Sequence, residues 1–285
     1  MKKPILAVIA GAVVVCAAAL WFWFGRAQAP EPPEPPPPPA DAGAGTPTIA
    51  HPLPAGSITV PALADSDPVF GAALMKVVGS GPFKQFVRPE NLIRHIVVTV
   101  DNLAKPHLAI EQRPVAPTQG TFLVDGDDTH PTESPNNAAR YAPALAALRK
   151  LDNNQLVALY LQYYPLFQSA YQDLGYPNAY FNDRLIAVID DMLEAPRPQE
   201  PLALTRPKVM YEYADPDLEA RSAGQKLLMR MSAPEAAEVK ERLRALRTAL
   251  IAAAPPAGTS MSAPAPGATA TPAPAATATP APAKP

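Results

Sequence analysis

The chain has 285 residues, a formal net charge of -2, 39 prolines and a single cysteine. Prolines gathered largely into two tracts leave room for one folded domain, long enough to bury a core without disulfides or a structural metal, and the lone Cys16 excludes an intramolecular disulfide framework. The near-neutral charge and the lack of a basic stripe with interleaved aromatics argue against nucleic acid as a partner.

At the N-terminus Lys2 and Lys3 precede an uncharged apolar run, 5–24, after which comes Arg26. About 20 helical residues span roughly 30 Å, the thickness of the hydrocarbon layer, so the run predicts a single transmembrane helix. Trp21, Phe22, Trp23 and Phe24 cluster where it leaves the bilayer. The lysine pair keeps residues 1–4 in the cytoplasm and places the rest outside, on the periplasmic face of a bacterial inner membrane. Two other readings compete: a cleaved signal peptide at Ala27-Gln28-Ala29, against which Pro30 counts, and lipidation of Cys16, against which the branched Val13-Val14-Val15 counts.

Residues 25–61 include Pro-Glu-Pro-Pro-Glu and then Pro35 to Pro39. That composition buries too little apolar surface to order itself and favours extended polyproline II, a disordered stalk. Residues 253–285 repeat Ala, Thr and Pro and read as a disordered tail. It serves as an inert solubilising segment or as a weak contact with the cell wall or a partner's polyproline groove.

The domain between, 62–252, is predicted to be mainly α, with about seven helices and little strand. Asp67-Pro68 reads as an N-cap and first helical position, and Gly79 as the stop. Pro89-Glu90-Asn91 opens a second helix whose apolar positions run from Leu92 to Leu103 at helical spacing. Periodicity then fails from Lys105 to Pro135, where Thr121 to Val124 reads as a short strand; a segment this long is functional or covers something. Helices resume over Asn137 to Lys150 and, capped by Asp152, over the stretch to Leu174, with Pro165 inside and Gly175 as the stop. Asn182 is predicted to cap a helix ending near Glu194. After an extended stretch at Lys208 to Tyr213, Asp215-Pro216 starts another, and Ser232-Ala233-Pro234-Glu235 forms a capping box for the last, through Ala252.

Five runs carry a resemblance: Arg88-Pro89-Glu90-Asn91-Leu92-Ile93-Arg94, Thr99-Val100-Asp101-Asn102-Leu103-Ala104, Leu174-Gly175-Tyr176-Pro177, Phe181-Asn182-Asp183-Arg184-Leu185 and Ser222-Ala223-Gly224-Gln225-Lys226. Together, over about Ser66 to Leu250, the chain resembles a bacterial family labelled domain of unknown function 3014 (DUF3014). The resemblance implies no activity, since the family has no assigned site residues to carry over.

Three sets of residues are candidates for chemistry. Tyr160, Tyr164, Phe167 and Tyr171 fall on one side of a helix, and with Tyr176 they make either core packing or a groove that stacks on a peptide or glycan. Asn182, Asp183 and Arg184 stand near Asp190, and the two carboxylates share a helix face; paired acids divide acid and base roles when their environments differ, whereas the structural account is a cap, a helix-dipole contact and an ion pair. Arg94, His95, Asp101 and Asn102 form the third set, a polar network docking its helix or a base without a marked nucleophile. Gly224 inside a helix points to close helix approach. No catalytic residue, metal site or cofactor is assigned. The expectation is a membrane-anchored binding or scaffold protein of the cell envelope, its partner an envelope protein or cell-wall component. The alternative is an envelope hydrolase acting on glycan or peptide through Asp183, Asp190 or His95.

Overall fold

The computed structural model describes residues 49–53, 60–107 and 111–253. The apolar run 5–24, most of the proline-rich linker and all but the first residue of the tail lie outside them. Residues 49–53, 60 and 61 of the linker expected to be disordered are nevertheless described, and Leu53 is buried in the main core. Among the described residues no helix is long and apolar enough to cross a membrane.

The domain is mainly helical, with nine α-helices among the described residues. In chain order they are α1 (Asp67–Val78), α2 (Ser80–Phe86), α3 (Leu92–Leu103), α4 (Ala142–Arg149), α5 (Asn153–Asp173), α6 (Phe181–Leu193), α7 (Pro216–Glu219), α8 (Ala223–Met229) and α9 (Ala233–Ala252). Short 3-10 turns occupy Leu63–Asp65 and Pro135–Tyr141. The two helices beyond the seven expected come from glycine and serine punctuation. Gly79, at φ 85°, ends α1 and at once begins α2. The helix started at Asp215 stops after one turn, and the Ser222 hydroxyl, accepting from Gln225 N at 3.1 Å, starts α8 afresh.

Several end signals hold. Asp152 Oδ1 accepts from Asn154 N at 2.7 Å, and Ser232 with Glu235 closes the capping box of α9. Others act differently from their local reading. The Asp67 carboxylate does not cap α1; it accepts from Asn91 N at 2.6 Å and Leu92 N at 2.8 Å, capping α3 from a distance. Asn91 itself sits in the left-handed region at φ 49°. Asn182 is likewise no cap, because α6 begins one residue earlier and leaves this side chain fully buried.

Helix α5 forms the spine. α3 and α9 both pack on it and on α6, and α8 packs on α6 and α3. Its apolar face joins Phe70 of α1, Ile93 and Val97 of α3 and Phe181 of α6 in the main core. Phe70 meets Tyr163 and Phe167 edge-to-face, at 5.2 and 5.6 Å between centroids.

Four two-residue strands complete the domain: β1 (Val124–Asp125), β2 (Thr132–Glu133), β3 (Leu204–Thr205) and β4 (Glu212–Tyr213). β1 pairs with β2 and β3 with β4, both antiparallel, and a bridge between Thr132 and Ala203 joins the two hairpins. Two main-chain bonds flank that bridge, Leu204 N to Pro131 O and Glu133 N to Leu202 O, each 2.8 Å. The aperiodic segment after Lys105 therefore becomes the first half of a small meander. Its Phe122 and Val124 cover Leu202, Leu204, Tyr213 and Met229. The expected strand at Thr121 to Val124 is displaced to Val124–Asp125, because the buried Asn137 side chain holds Leu123 through both its N–H and C=O, at 2.9 and 2.7 Å.

Candidate functional site

Four of the five sequence runs converge on the place where α3, α6 and α8 meet, whereas Arg88 to Arg94 lies at the opposite end of α3. At the centre of this junction Asp101, 3 % exposed, stands near the C-terminal end of α3. Arg184 of α6 donates from Nε to Asp101 Oδ1 at 2.9 Å and from Nη2 to the Asp101 carbonyl at 2.6 Å. Lys105 Nζ donates to Oδ2 at 2.7 Å, and the Tyr176 hydroxyl donates to the same oxygen at 3.3 Å. The hydrogen bond to Asp101 holds the Lys105 ammonium above its ordinary pKa. Asn102 adds its carbonyl, which accepts from Lys105 N at 3.0 Å, and the Lys105 carbonyl accepts from Ala223 N at 2.7 Å, tying α8 in.

Gly224 makes that approach possible. A Cβ there would lie 2.7 Å from Met192 Cγ and 3.2 Å from the Leu103 carbonyl oxygen. Beside it Asp191 accepts from the Ser222 hydroxyl at 2.6 Å and from Gln225 Nε2 at 3.1 Å.

The other candidates are distributed around this node. Asp183 accepts from His51 N at 2.8 Å and Ala50 N at 3.0 Å, and its Oδ1 lies 3.1 Å from His51 Nδ1, so it fastens the segment entering the domain to α6. Asp190 meets the Arg247 guanidinium of α9 at 2.5 and 3.2 Å. The two carboxylates that share a helix face thus have separate cationic or imidazole partners. Arg94 pairs with Asp173 at 2.9 Å on the exposed side of α3. His95 Nδ1 is buried without a hydrogen-bond partner among the described residues.

Of the tyrosines, Tyr164 and Tyr171 are buried, and Tyr160 and Tyr176 are half-buried. Tyr160 donates to Asn182 Oδ1 at 3.2 Å and Tyr164 to Gln168 Oε1 at 2.9 Å, while the Tyr171 and Tyr176 rings stack 4.6 Å apart. Burial pushes the Tyr171 hydroxyl up to about 12 and that of Tyr164 higher.

A second polar centre escaped the sequence reading, because its members come from three separated segments without a shared period. Glu133 of β2 is 8 % exposed, and its Oε2 accepts from the Tyr213 hydroxyl at 3.0 Å. Its Oε1 has no hydrogen-bond partner among the described residues, and neither has Arg230 Nε. The Arg230 guanidinium lies 5.9 Å from the Phe122 ring centre and 6.0 Å from that of Tyr213. Burial raises the Glu133 pKa above its ordinary value, against the pull of Tyr213 and Arg230. Both residues line a cleft of about 270 Å³ between the meander and the start of α9.

A family model described as "Protein of unknown function (DUF3014)" matches residues 92–247. The chain belongs to the DUF3014 family. The matched region of this DUF3014 protein contains both polar centres and the Asp190–Arg247 pair, whereas His51 and Asp67, which fasten outer segments to the helices, precede it. Searches among curated proteins and among solved structures returned no match. Among the described residues no group of three or more His, Cys, Asp or Glu is placed to hold a metal ion.

Proposed function

We propose that this protein is a membrane-anchored binding or scaffold module of the bacterial cell envelope, its helical domain held outside the inner membrane by the proline-rich stalk. The observation that supports binding over hydrolysis is the pairing of the candidate acids. Asp101, Asp183 and Asp190 are each engaged by a basic side chain of another segment or turn, so their charges join elements together. A hydrolytic pair needs one protonated and one ionised carboxyl flanking the same scissile bond. Exposed apolar residues at the tip between β3 and β4, Val209 at 68 % and Met210 at 72 %, give the domain a surface suited to contact.

The topology is tested by adding protease to spheroplasts expressing the full-length chain. The expected result is digestion of the domain from outside, with a short anchored fragment retained in the membrane pellet. Protection of the domain in intact spheroplasts, or its release into the soluble fraction before protease is added, would refute the tethered arrangement. Turnover of envelope glycan or peptide fragments by the purified full-length chain, abolished in Asp183→Ala or His95→Ala with unchanged thermal stability, would establish the hydrolase instead.

A further inference from the structure

Turns are usually built from glycine, proline and polar residues, which meet solvent and bend without strain. The tip between β3 and β4 departs from that rule. Its residues run Arg206-Pro207-Lys208-Val209-Met210-Tyr211, and Val209 and Met210 are 68 % and 72 % exposed. Among the described residues they are the one adjacent pair of exposed large apolar side chains; Val69, Val115, Leu123 and Leu174 stand singly and are less exposed.

The loop is held in this shape by its own side chains. Arg206 Nε donates to the Val209 carbonyl at 3.2 Å across the turn, and its guanidinium lies 5.3 Å from the centre of the Tyr211 ring. Tyr211 in turn meets Phe122 at 6.4 Å between centroids, against the cluster that holds Leu204 and Tyr213. A braced loop thus presents the two apolar side chains outward, and little order has to be gained when they are covered. The charge beside them has one sign. No acid lies between Thr205 and Glu212, the latter half-buried at the foot of the loop. Neither Arg206 nor Lys208 is within ion-pair distance of a carboxylate among the described residues.

This arrangement fits a bilayer better than a protein groove. Consecutive side chains leave the backbone in different directions, so one face of a folded partner would cover Val209 or Met210, whereas the interfacial layer of a membrane closes round a convex tip and covers both. Apolar side chains then reach the acyl boundary while the cations beside them stay at the level of the lipid phosphates. Two apolar residues and two cations hold a bilayer only weakly; a tether that supplies about millimolar effective concentration makes a contact of that strength sufficient.

We propose that the β3–β4 tip docks on the anionic surface of a lipid bilayer, with Val209 and Met210 in the interface and Arg206 and Lys208 against the phosphates. The proposal rests on the membrane-anchored reading above and names what this part of the head touches.

Met210 is its own reporter, since an exposed thioether oxidises to the sulfoxide and one covered by lipid is shielded. The full-length chain is placed in nanodiscs of phosphatidylcholine alone, or of equal parts phosphatidylcholine and phosphatidylglycerol, treated with chloramine-T beside a free methionine peptide as dose control, and mapped by mass spectrometry. Met210 is expected to oxidise at least about fivefold more slowly in the anionic discs, and to lose that protection in high salt. Lys208→Gln, at a side chain that takes no part in bracing the loop, should lower the ratio of docked to free tip about fivefold, the share of one cation at an anionic surface. Val209→Ser should weaken the protection without change in lipid charge. Equal oxidation in the two discs, or protection unchanged in Lys208→Gln and in high salt, overturns the proposal. The chain's own acids, Glu31, Glu34 and Asp41 among them, are the same in both discs, so masking by protein would leave the rates equal. A chain that enters the discs with Met210 unprotected refutes the docking and leaves the anchored binder standing, whereas a chain that fails to enter them refutes the anchor and the docking with it.

Discussion

Asp101 is one buried carboxylate facing two cations and a phenol, and these come from the turn after α3, from α6 and from the turn between α5 and α6. Removing the buried acid takes away charge-assisted bonds to Arg184 and Lys105, and because both cations keep contact with solvent the loss is about 2–3 kcal/mol, below that of a fully buried pair. Asp101→Ala is therefore expected to lower the unfolding free energy measured in urea by that much, whereas Arg94→Ala, which breaks the exposed pair with Asp173, should cost less than about 1 kcal/mol. Equal effects would contradict the assignment of Asp101 as the node. Glu133 makes the opposite kind of prediction. Its pKa in the folded state is raised by burial above the ordinary 4.5, so the native state holds a proton that the unfolded chain releases. The contribution of Glu133 to stability is then greatest below 4.5, falls as pH rises from 4.5 through the raised value, and is level above it. Glu133→Gln should remove this part of the slope, seen as a difference between the two melting-temperature profiles; parallel profiles would show that Glu133 ionises like an exposed acid. Residue types and spacing made Asp101 and Arg184 visible in the sequence. Glu133, Tyr213 and Arg230 were hidden, since only the closing of the meander brings them together.

Among the elements, the join of α8 to α3 and α6 depends on the missing side chain at Gly224. Helix propensity alone favours alanine by about 1 kcal/mol, but a Cβ would press on Met192 Cγ and on the Leu103 carbonyl. Overpacking of this kind costs about 1–3 kcal/mol, so Gly224→Ala is expected to destabilise in chemical denaturation. Adding Met192→Ala should recover part of the loss, leaving the share due to the Leu103 backbone; a stabilising G224A would mean that the helices are not in close contact. The sequence made this join legible through one glycine in a helical pattern. Helix ends were legible where the cap is local, as at Asp152 and Ser232, and misread where it is not. The Asp67 carboxylate reaches Asn91 and Leu92, across 24 and 25 residues, and no local pattern contains such a bond. Asn182 resembled a cap by type, yet its amide donates to the His51 carbonyl at 2.9 Å, a partner 131 positions away.

For the whole molecule, the helical class followed from the period of apolar residues, and the run from Lys105 to Pro135 correctly broke that period. What the period does not encode is that two hairpins about 70 residues apart meet through a single bridge at Thr132 and Ala203. The resulting domain closes its main charged groups on one another and leaves two surfaces open, the cleft beneath the meander and the Val209–Met210 tip. A head of this kind, carried on an apolar anchor and a proline-rich stalk, is proposed to act by contact rather than by turnover. The most direct test is in-cell photocrosslinking of the full-length chain, with a probe at Glu200 beside the cleft and a control probe at Asp173 on the outer end of α5. One envelope protein captured reproducibly from Glu200 and not from Asp173 is the predicted result. Glycan fragments captured at Glu200, or no partner at either position together with hydrolysis of envelope material by the purified chain, would contradict it.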